Sequence, residues 1–287
     1  SATLIKRPRR LLLASFMVAL IAASLVAGYV YYIQASKVQL RIFASSSLTN
    51  LFKEYELRFE GRHNVDVVLN LASSNTLREQ ILEGLPCDVF ASASTAEIDL
   101  LRSKSLIFQN RSRVFAYNYI AVAMPADNPA HLQTIEDLTR KGVRIVLADF
   151  KTPLGNYTSQ VLSKIESSWG DRESAYYQNP AVEKYRAKVL ANVVAYEANA
   201  QQVVTKVMAG LADAGFVYFS DVAVRGVKLQ ALSIPPELNV KTSYQIAVLN
   251  DAPQLRLALA FLDYVFSEES LQVMRKWGFT GVEGSGS

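Results

Sequence analysis

The sequence predicts an α/β protein built on an open sheet, preceded by a separate apolar segment. Three observations carry this. Strand-like and helix-like stretches alternate from Val38 onward, turn signals such as Gly84, Pro125 and Gly170 separate them, and half of the 287 residues are apolar while a fifth are charged. A chain of this length and composition can bury a core as one large domain or two smaller ones. In open α/β sheets ligands lie outside the carboxyl ends of the strands, so function is sought where strands hand over to helices.

The first ten residues hold Lys6, Arg7, Arg9 and Arg10 and no acid. Setting those four aside leaves 26 basic residues against 26 acidic ones, so the net charge of +4 belongs to the amino terminus. No basic field remains that would hold nucleic acid. Residues 11–33, "LLLASFMVALIAASLVAGYVYYI", carry no charge, and at about 1.5 Å per residue they are long enough for a hydrocarbon layer of about 30 Å. A cleaved signal ordinarily has an apolar core of only about 7 to 15 residues. The expectation is therefore a basic cytoplasmic tail (1–10), a retained transmembrane helix (11–33) and a short linker (34–37), with Tyr29, Tyr31 and Tyr32 at the outer interface. Retained anchor or cleaved signal, the remainder is extracytoplasmic. Cys87 is the sole cysteine, which excludes an internal disulfide and reads as a small buried residue.

The elements follow in order. Strands are expected at 38–44, 65–71, 88–92, 119–124, 143–148, 193–196, 214–218 and 244–249. Leu48, Leu51, Phe52, Tyr55 and Phe59 share one face of a helix over 48–60. Further helices are expected over 76–83, closed by Gly84, over 154–169, stopped by Gly170, and over 201–208, 254–266 and 269–277. The Gly/Ser tail 283–287 reads as a flexible end. Asn110-Arg-Ser and Asn156-Tyr-Thr are weak glycosylation patterns.

Four junctions share a chemistry. "SSSL", "ASSNT", "TPLGN" and "ANAQQ" open the helices at Leu48, Thr76, Leu154 and Gln201. Each offers unpaired backbone N–H groups and the positive end of a helix dipole, and the first two add hydroxyls. None contains arginine, and Lys151 stands outside its turn. Neutral, directed donors of this kind suit a fully ionised oxyanion. Serines ahead of helices also serve as ordinary N-caps, and at any single junction that reading stands beside the other.

"FASSSLTN", "LASSNTLREQILEG", "PCDVFASAS", "TPLGNY", "ADAGFVYFSDV" and "RKWGFT", in this order and spacing, resemble the molybdate-binding proteins of ABC importers over residues 38–282. The resemblance implies a two-lobed periplasmic-binding-protein type II fold, with lobe 1 at 38–118 plus 243–282 and lobe 2 at 119–242. It implies an oxyanion, molybdate or tungstate, held by Ser47, Ser74, Leu154, Ala200 and Tyr218. Ser47 and Ser74 would offer hydroxyls, Leu154 and Ala200 their amides, and Tyr218 its phenol. It further implies an ABC permease with its cytoplasmic ATPase as partner, and no cofactor. Ser45 and Ser46 replace residues usually alanine in such proteins, Asn75 stands where serine is common, and Leu154 is larger than usual.

Rival readings are a carrier of sulfate, phosphate or an organic acid, and a serine-dependent hydrolase. Against the hydrolase, there is no G-x-S-x-G, and His63 in "EGRHN" and His131 after "DNPA" read as exposed loop residues. Against a cation site, Asp88, Asp213 and Asp221 near strand ends read as capping or solvated carboxylates, and Asp221 in "YFSD" as a residue that orients the hinge or docks the permease.

Overall fold

The computed structural model describes residues 16–28, 37–168, 180–223 and 228–282. Within the apolar amino-terminal segment, residues 16–28 form an exposed helix, α1. The rest of the expected 11–33 span and the 1–10 tail lie outside the described residues, as does the 283–287 tail. Among the described residues no helix is long and apolar enough to cross a membrane.

The body then runs β1 (Val38–Ser45), α2 (Thr49–Glu60), β2 (Val65–Ala72), α3 (Ser74–Leu82), β3 (Val89–Ser92), α4 (Thr95–Ser103), β4 (Ser112–Pro125), β5 (Ile145–Ala148), α5 (Pro153–Ser167), α6 (Tyr185–Ala191), β6 (Val193–Glu197), α7 (Ala200–Met208), β7 (Ala214–Tyr218), α8 (Phe219–Ala223), β8 (Leu229–Leu232), β9 (Lys241–Val248), α9 (Leu255–Val265), α10 (Glu268–Lys276) and β10 (Thr280–Gly281). Strands pair in the order β2-β1-β3-β9-β4-β7-β5-β6, with β8 and β10 also on β4.

β4 belongs to two sheets. Residues Ser112 to Tyr119 pair antiparallel with β9, and Ile120 to Pro125 pair with β7 and β8. On one side of this switch β1 runs parallel to β2 and β3; on the other, β5 runs parallel to β6 and β7. Each parallel trio is followed by helices, so its carboxyl ends face the switch region.

Helices cover these sheets because their apolar residues recur on one face. α2 buries Leu51, Phe52, Tyr55 and Phe59, and the three rings meet Phe261 and Tyr264 of α9 at separations of 5.1 to 6.4 Å. On the other side α7 presses Val203 and Val207 onto β7 at Gly215, where an added Cβ would lie 2.8 Å from Val203 Cγ1. Only a glycine lets that helix approach so closely.

Several elements differ from expectation. The strand expected at 119–124 is the second half of a 14-residue strand, whose polar Arg113 and Asn118 break the apolar pattern over the first half. α4 has only Ile98 and Leu101 buried, so its periodic signal is short; the Ser94 hydroxyl caps it by accepting from the Ala96 amide. α6 and β8 are seven and four residues long, too brief for a period to be read.

Gly155 sets the approach of α5 to β5. A Cβ at this position would lie 2.1 Å from the Asp149 carbonyl oxygen, whereas at Gly84, with φ +88°, it would meet nothing within 4 Å. Gly155→Ala is expected to lower stability by about 2 kcal/mol or more through overpacking against backbone, and Gly84→Ala by only about 1 kcal/mol through its dihedral. Urea unfolding midpoints of the two variants check this ranking.

Candidate functional site

Six parallel strand ends deliver four helix starts to the switch region. The β1 register places Ser45 beside Ala72 of β2, and Ala44 beside Ala91 of β3, so the Ser46–Leu48 turn and the start of α3 are neighbours. Ser45, Ser46, Ser47, Ser73 and Ser74 are all buried. From the other trio come Leu154 and Ala200, 2% and 4% exposed, and Tyr218, 1% exposed.

At the α5 and α7 starts the capping side chain satisfies some amides and leaves others uncommitted, whereas no side chain caps the Ser46–Leu48 turn or α3. In α5 the Thr152 hydroxyl accepts from the Gly155 amide at 3.1 Å and the Thr152 carbonyl accepts from the Asn156 amide at 2.9 Å. Pro153 has no N–H, so Leu154 carries the free donor of that turn. In α7 the Asn199 side chain accepts from the Gln202 amide at 3.0 Å, and Gln202 Oε1 accepts from the Ala198 amide at 3.1 Å. That arrangement leaves the Ala200 amide pointing out of the helix.

The hydroxyls are similarly arranged. Ser74 Oγ accepts from the Ala93 amide at 3.0 Å, which leaves its own hydrogen to give. Ser47 Oγ accepts from the Tyr244 hydroxyl at 3.2 Å and lies 3.2 Å from Ser45 Oγ. The Tyr218 hydroxyl is buried and makes no hydrogen bond of good geometry among the described residues, although the Tyr244 phenol lies close enough to act on it. A buried phenol ordinarily finds one, so this orphan donor marks a place for an acceptor. Burial also pushes the Tyr218 pKa well up, with the Tyr244 phenol adding to the shift, so the group stays protonated. The Asn75 side-chain oxygen is likewise buried without a partner.

Some of these residues meet across the switch. Tyr218 and Tyr244 meet edge-on with ring centroids 5.6 Å apart, and Tyr244 in turn reaches Ser47. α7 packs against the Ser46–Leu48 turn. One turn into α5, Tyr157 hydrogen-bonds the Ser94 side chain at the start of α4. Sequence reasoning missed Tyr244, Thr152 and Asn118; only Thr152, directly before a proline and a helix, carried a readable capping signal. Asn118 gives a hydrogen bond to Ser220 Oγ at 2.8 Å and accepts from the Tyr119 amide at 2.9 Å.

Other candidates fall elsewhere. Cys87 is buried as expected, its thiol giving a hydrogen bond to the Val89 carbonyl and pushed up in pKa by burial. His131 is exposed, but His63 is half-buried and stacks on Phe59 at 4.1 Å, because its turn folds back on α2. Asp88 accepts from the Arg41 and Gln254 amides, and Asp213 from the Arg144 amide and guanidinium. Both are therefore caps at the amino ends of strands. Among the described residues no cluster of three or more His, Cys, Asp or Glu side chains could hold a metal ion.

Residues 40–280 match the bacterial extracellular solute-binding protein family. The chain is 30% identical over 239 residues to the molybdate-binding protein ModA of Mycobacterium tuberculosis, covering 83% of each. The periplasmic molybdate-binding protein of Azotobacter vinelandii superposes with a TM-score of 0.71 at 18% identity, over 84% of this chain and 98% of that one. The sulfate-binding protein SubI of Mycobacterium tuberculosis gives 0.73 at 15%, over 86% and 88%. At such identities the two structures speak for the fold alone.

Asp221 is the half-buried carboxyl of this region, accepting from the Tyr218 amide at 3.0 Å. Burial pushes its pKa up from 3.8 to about 7, against the lowering effect of that hydrogen bond. Between those values the folded protein holds a proton that the unfolded chain has lost, so this group's contribution to stability falls as pH rises from about 4 to about 7. Asp221→Asn keeps an acceptor for the Tyr218 amide and removes the titration. Its melting temperature is expected to match the wild type at pH 4 and to exceed it by about 2 °C or more at pH 8, as scanning calorimetry across that range would register.

Proposed function

Because the chain belongs to the bacterial extracellular solute-binding protein family, we propose that it captures molybdate, and with it tungstate, between two lobes and delivers the ion to an ABC importer. The protein is a binding component and not an enzyme. In this reading lobe 1 comprises 38–118 plus 243–282 and lobe 2 comprises 119–242. Lobe 1 contributes Ser47 and Ser74; lobe 2 contributes the Leu154 and Ala200 amides and the Tyr218 phenol. The observation that carries the assignment is the buried Tyr218 hydroxyl, without a hydrogen bond of good geometry, beside helix starts whose first amides have no intrahelical acceptor.

An ion touched from both lobes binds the closed arrangement more tightly than the open one, and this difference drives closure. The closed shape is what a membrane permease with its cytoplasmic ATPase would read. The segment 11–33 would tether the protein to the outer face of the membrane as a single span. Selection against sulfate follows from size: donors fixed for the longer metal–oxygen bonds of molybdate or tungstate leave stretched hydrogen bonds to a smaller tetrahedron. A cage without charge gains its affinity from several hydrogen bonds to an ionised acceptor, each contributing about 1.5 to 3 kcal/mol.

Isothermal titration of the protein with molybdate, tungstate, sulfate and phosphate tests this. Tight one-to-one binding is expected for the first two ions and much weaker binding for the others. Ser47→Ala and Tyr218→Phe should each weaken molybdate binding by about 1 to 3 kcal/mol. Equal affinity for sulfate would overturn the size argument, and no response to any of the four ions would overturn the assignment as a whole.

A further inference from the structure

The starts of α5 and α4 belong to opposite sides of the switch, and one side chain joins them. Tyr157 lies three residues beyond Leu154, on the same face of α5. Its phenol oxygen accepts from the Ser243 amide of β9 and hydrogen-bonds the Ser94 side chain, and burial pushes its pKa up, so the phenol keeps its hydrogen. Ser94 is itself held in place. Its carbonyl accepts from the Ser92 hydroxyl at 2.6 Å, its amide donates to the same hydroxyl at 3.0 Å, and its own hydroxyl accepts from the Ala96 amide at 3.3 Å. β3 pairs with β9 only as far as Ser92 and Gln245, so the ladder on that side ends two residues short of Ser243, which leaves a place for a side chain there.

We propose that Tyr157 is a positioning residue that latches the lobe carrying Leu154 onto the lobe carrying Ser47 and Ser74, and so sets how long a captured ion stays. This rests on the oxyanion reading of the cleft and adds to it the timing of release. The phenol need not touch the ion. Leu154 and Tyr157 ride on one turn, seated close against the end of β5 at Gly155, so whatever holds Tyr157 against Ser94 also holds the Leu154 amide in place. In the lobe division given above, Tyr157 belongs to lobe 2, and both of its partners belong to lobe 1. The ion therefore leaves only after these bonds break, whereas on arrival they form after the first contact. Interactions of this kind act on dissociation more than on association.

The full chain is loaded with radiolabelled molybdate and chased with unlabelled molybdate to give the release rate, and its affinity is measured by titration calorimetry. Wild type, Tyr157→Phe, Ser94→Ala and the double variant are compared. Tyr157→Phe is expected to release the ion at least about fivefold faster, with an association rate, taken from the two measurements, within about twofold of wild type. Ser94→Ala should speed release in the same direction, and in its background Tyr157→Phe should accelerate release by at most about half as much as it does alone. A tyrosine that only packs would not be coupled to Ser94. Unchanged release in Tyr157→Phe, or equal acceleration with and without Ser94, overturns the proposal. If Tyr157→Phe does not fold, unchanged release in Ser94→Ala overturns it. A wild-type chain that binds no molybdate would overturn the oxyanion reading itself, a result distinct from binding with unchanged release.

Discussion

Everything in the cleft depends on two strands lying side by side where the sheets meet. Asn118 of β4 pairs with Thr242, and Tyr119 with Lys241, immediately before β4 leaves β9 for β7. Just ahead of β9, the Asn239 side chain takes the place of another strand residue: its oxygen accepts from the Ile120 amide at 3.1 Å and its nitrogen donates to the Ile120 carbonyl at 2.8 Å. The Gly278 turn closes on the same place, where an added Cβ would lie 2.9 Å from Ala223 Cβ. Chain passage between the two halves runs through this hydrogen-bonded strip, and the main apolar core continues across it, joining Leu40 and Phe52 on one side to Val146 and Phe216 on the other. This is the geometry in which hinge motion is absorbed by a few residues.

The charges at the two ends of the strands are each paired or capped. At the amino ends, Asp88 and Asp213 accept from backbone amides, and Arg144 pairs with Asp213 at 2.7 Å. At the carboxyl ends lie serines, helix-start amides and tyrosines, and the carboxylates there are engaged, Glu197 by Lys206, Asp149 by the Lys151 amide and Asp221 by the Tyr218 amide. Burying a cation there would incur its own desolvation cost and would require a partner whenever the ion is gone. Amides and hydroxyls carry a smaller penalty and remain directed by the helices that hold them. A neutral cage also suits a carrier, because an ion gripped by opposite charge in a dry site is difficult to release.

How much of this was legible depended on whether a local pattern existed. The α/β alternation and the helix faces were readable because apolar residues recur with a fixed period, as at Leu51, Tyr55 and Phe59. The junctions were readable because capping chemistry is local: Thr152 and Asn199 each act within three residues of themselves. What escaped was long-range. Tyr244 lies 197 positions from Ser47, and Asn118 lies 102 from Ser220, so only the β1–β3–β9 pairings bring the first pair together and the β4–β7 pairing the second. β4 itself was half-read because Arg113 and Asn118 sit in a strand that is not apolar throughout. Arg113 is accommodated by lying over the Phe266 ring at 3.9 Å.

The same hydrogen-bond polarity separates a binding site from a catalytic one. A serine becomes a nucleophile when a neighbour accepts its proton. At Ser47 the nearest strong partner does the reverse: Tyr244 donates to it, and burial pushes the Tyr244 pKa well up, so that phenol neither ionises nor becomes a base. The carboxyl of the region, Asp221, is engaged by the Tyr218 amide. His63 is held against Phe59 on the outer side of α2. A turn that places a buried serine at a strand's carboxyl end thus serves in one context to attack and in another to hold. What decides between them is whether a neighbour can take the proton from the serine oxygen, and neither Tyr244 nor Ser45 is such a base.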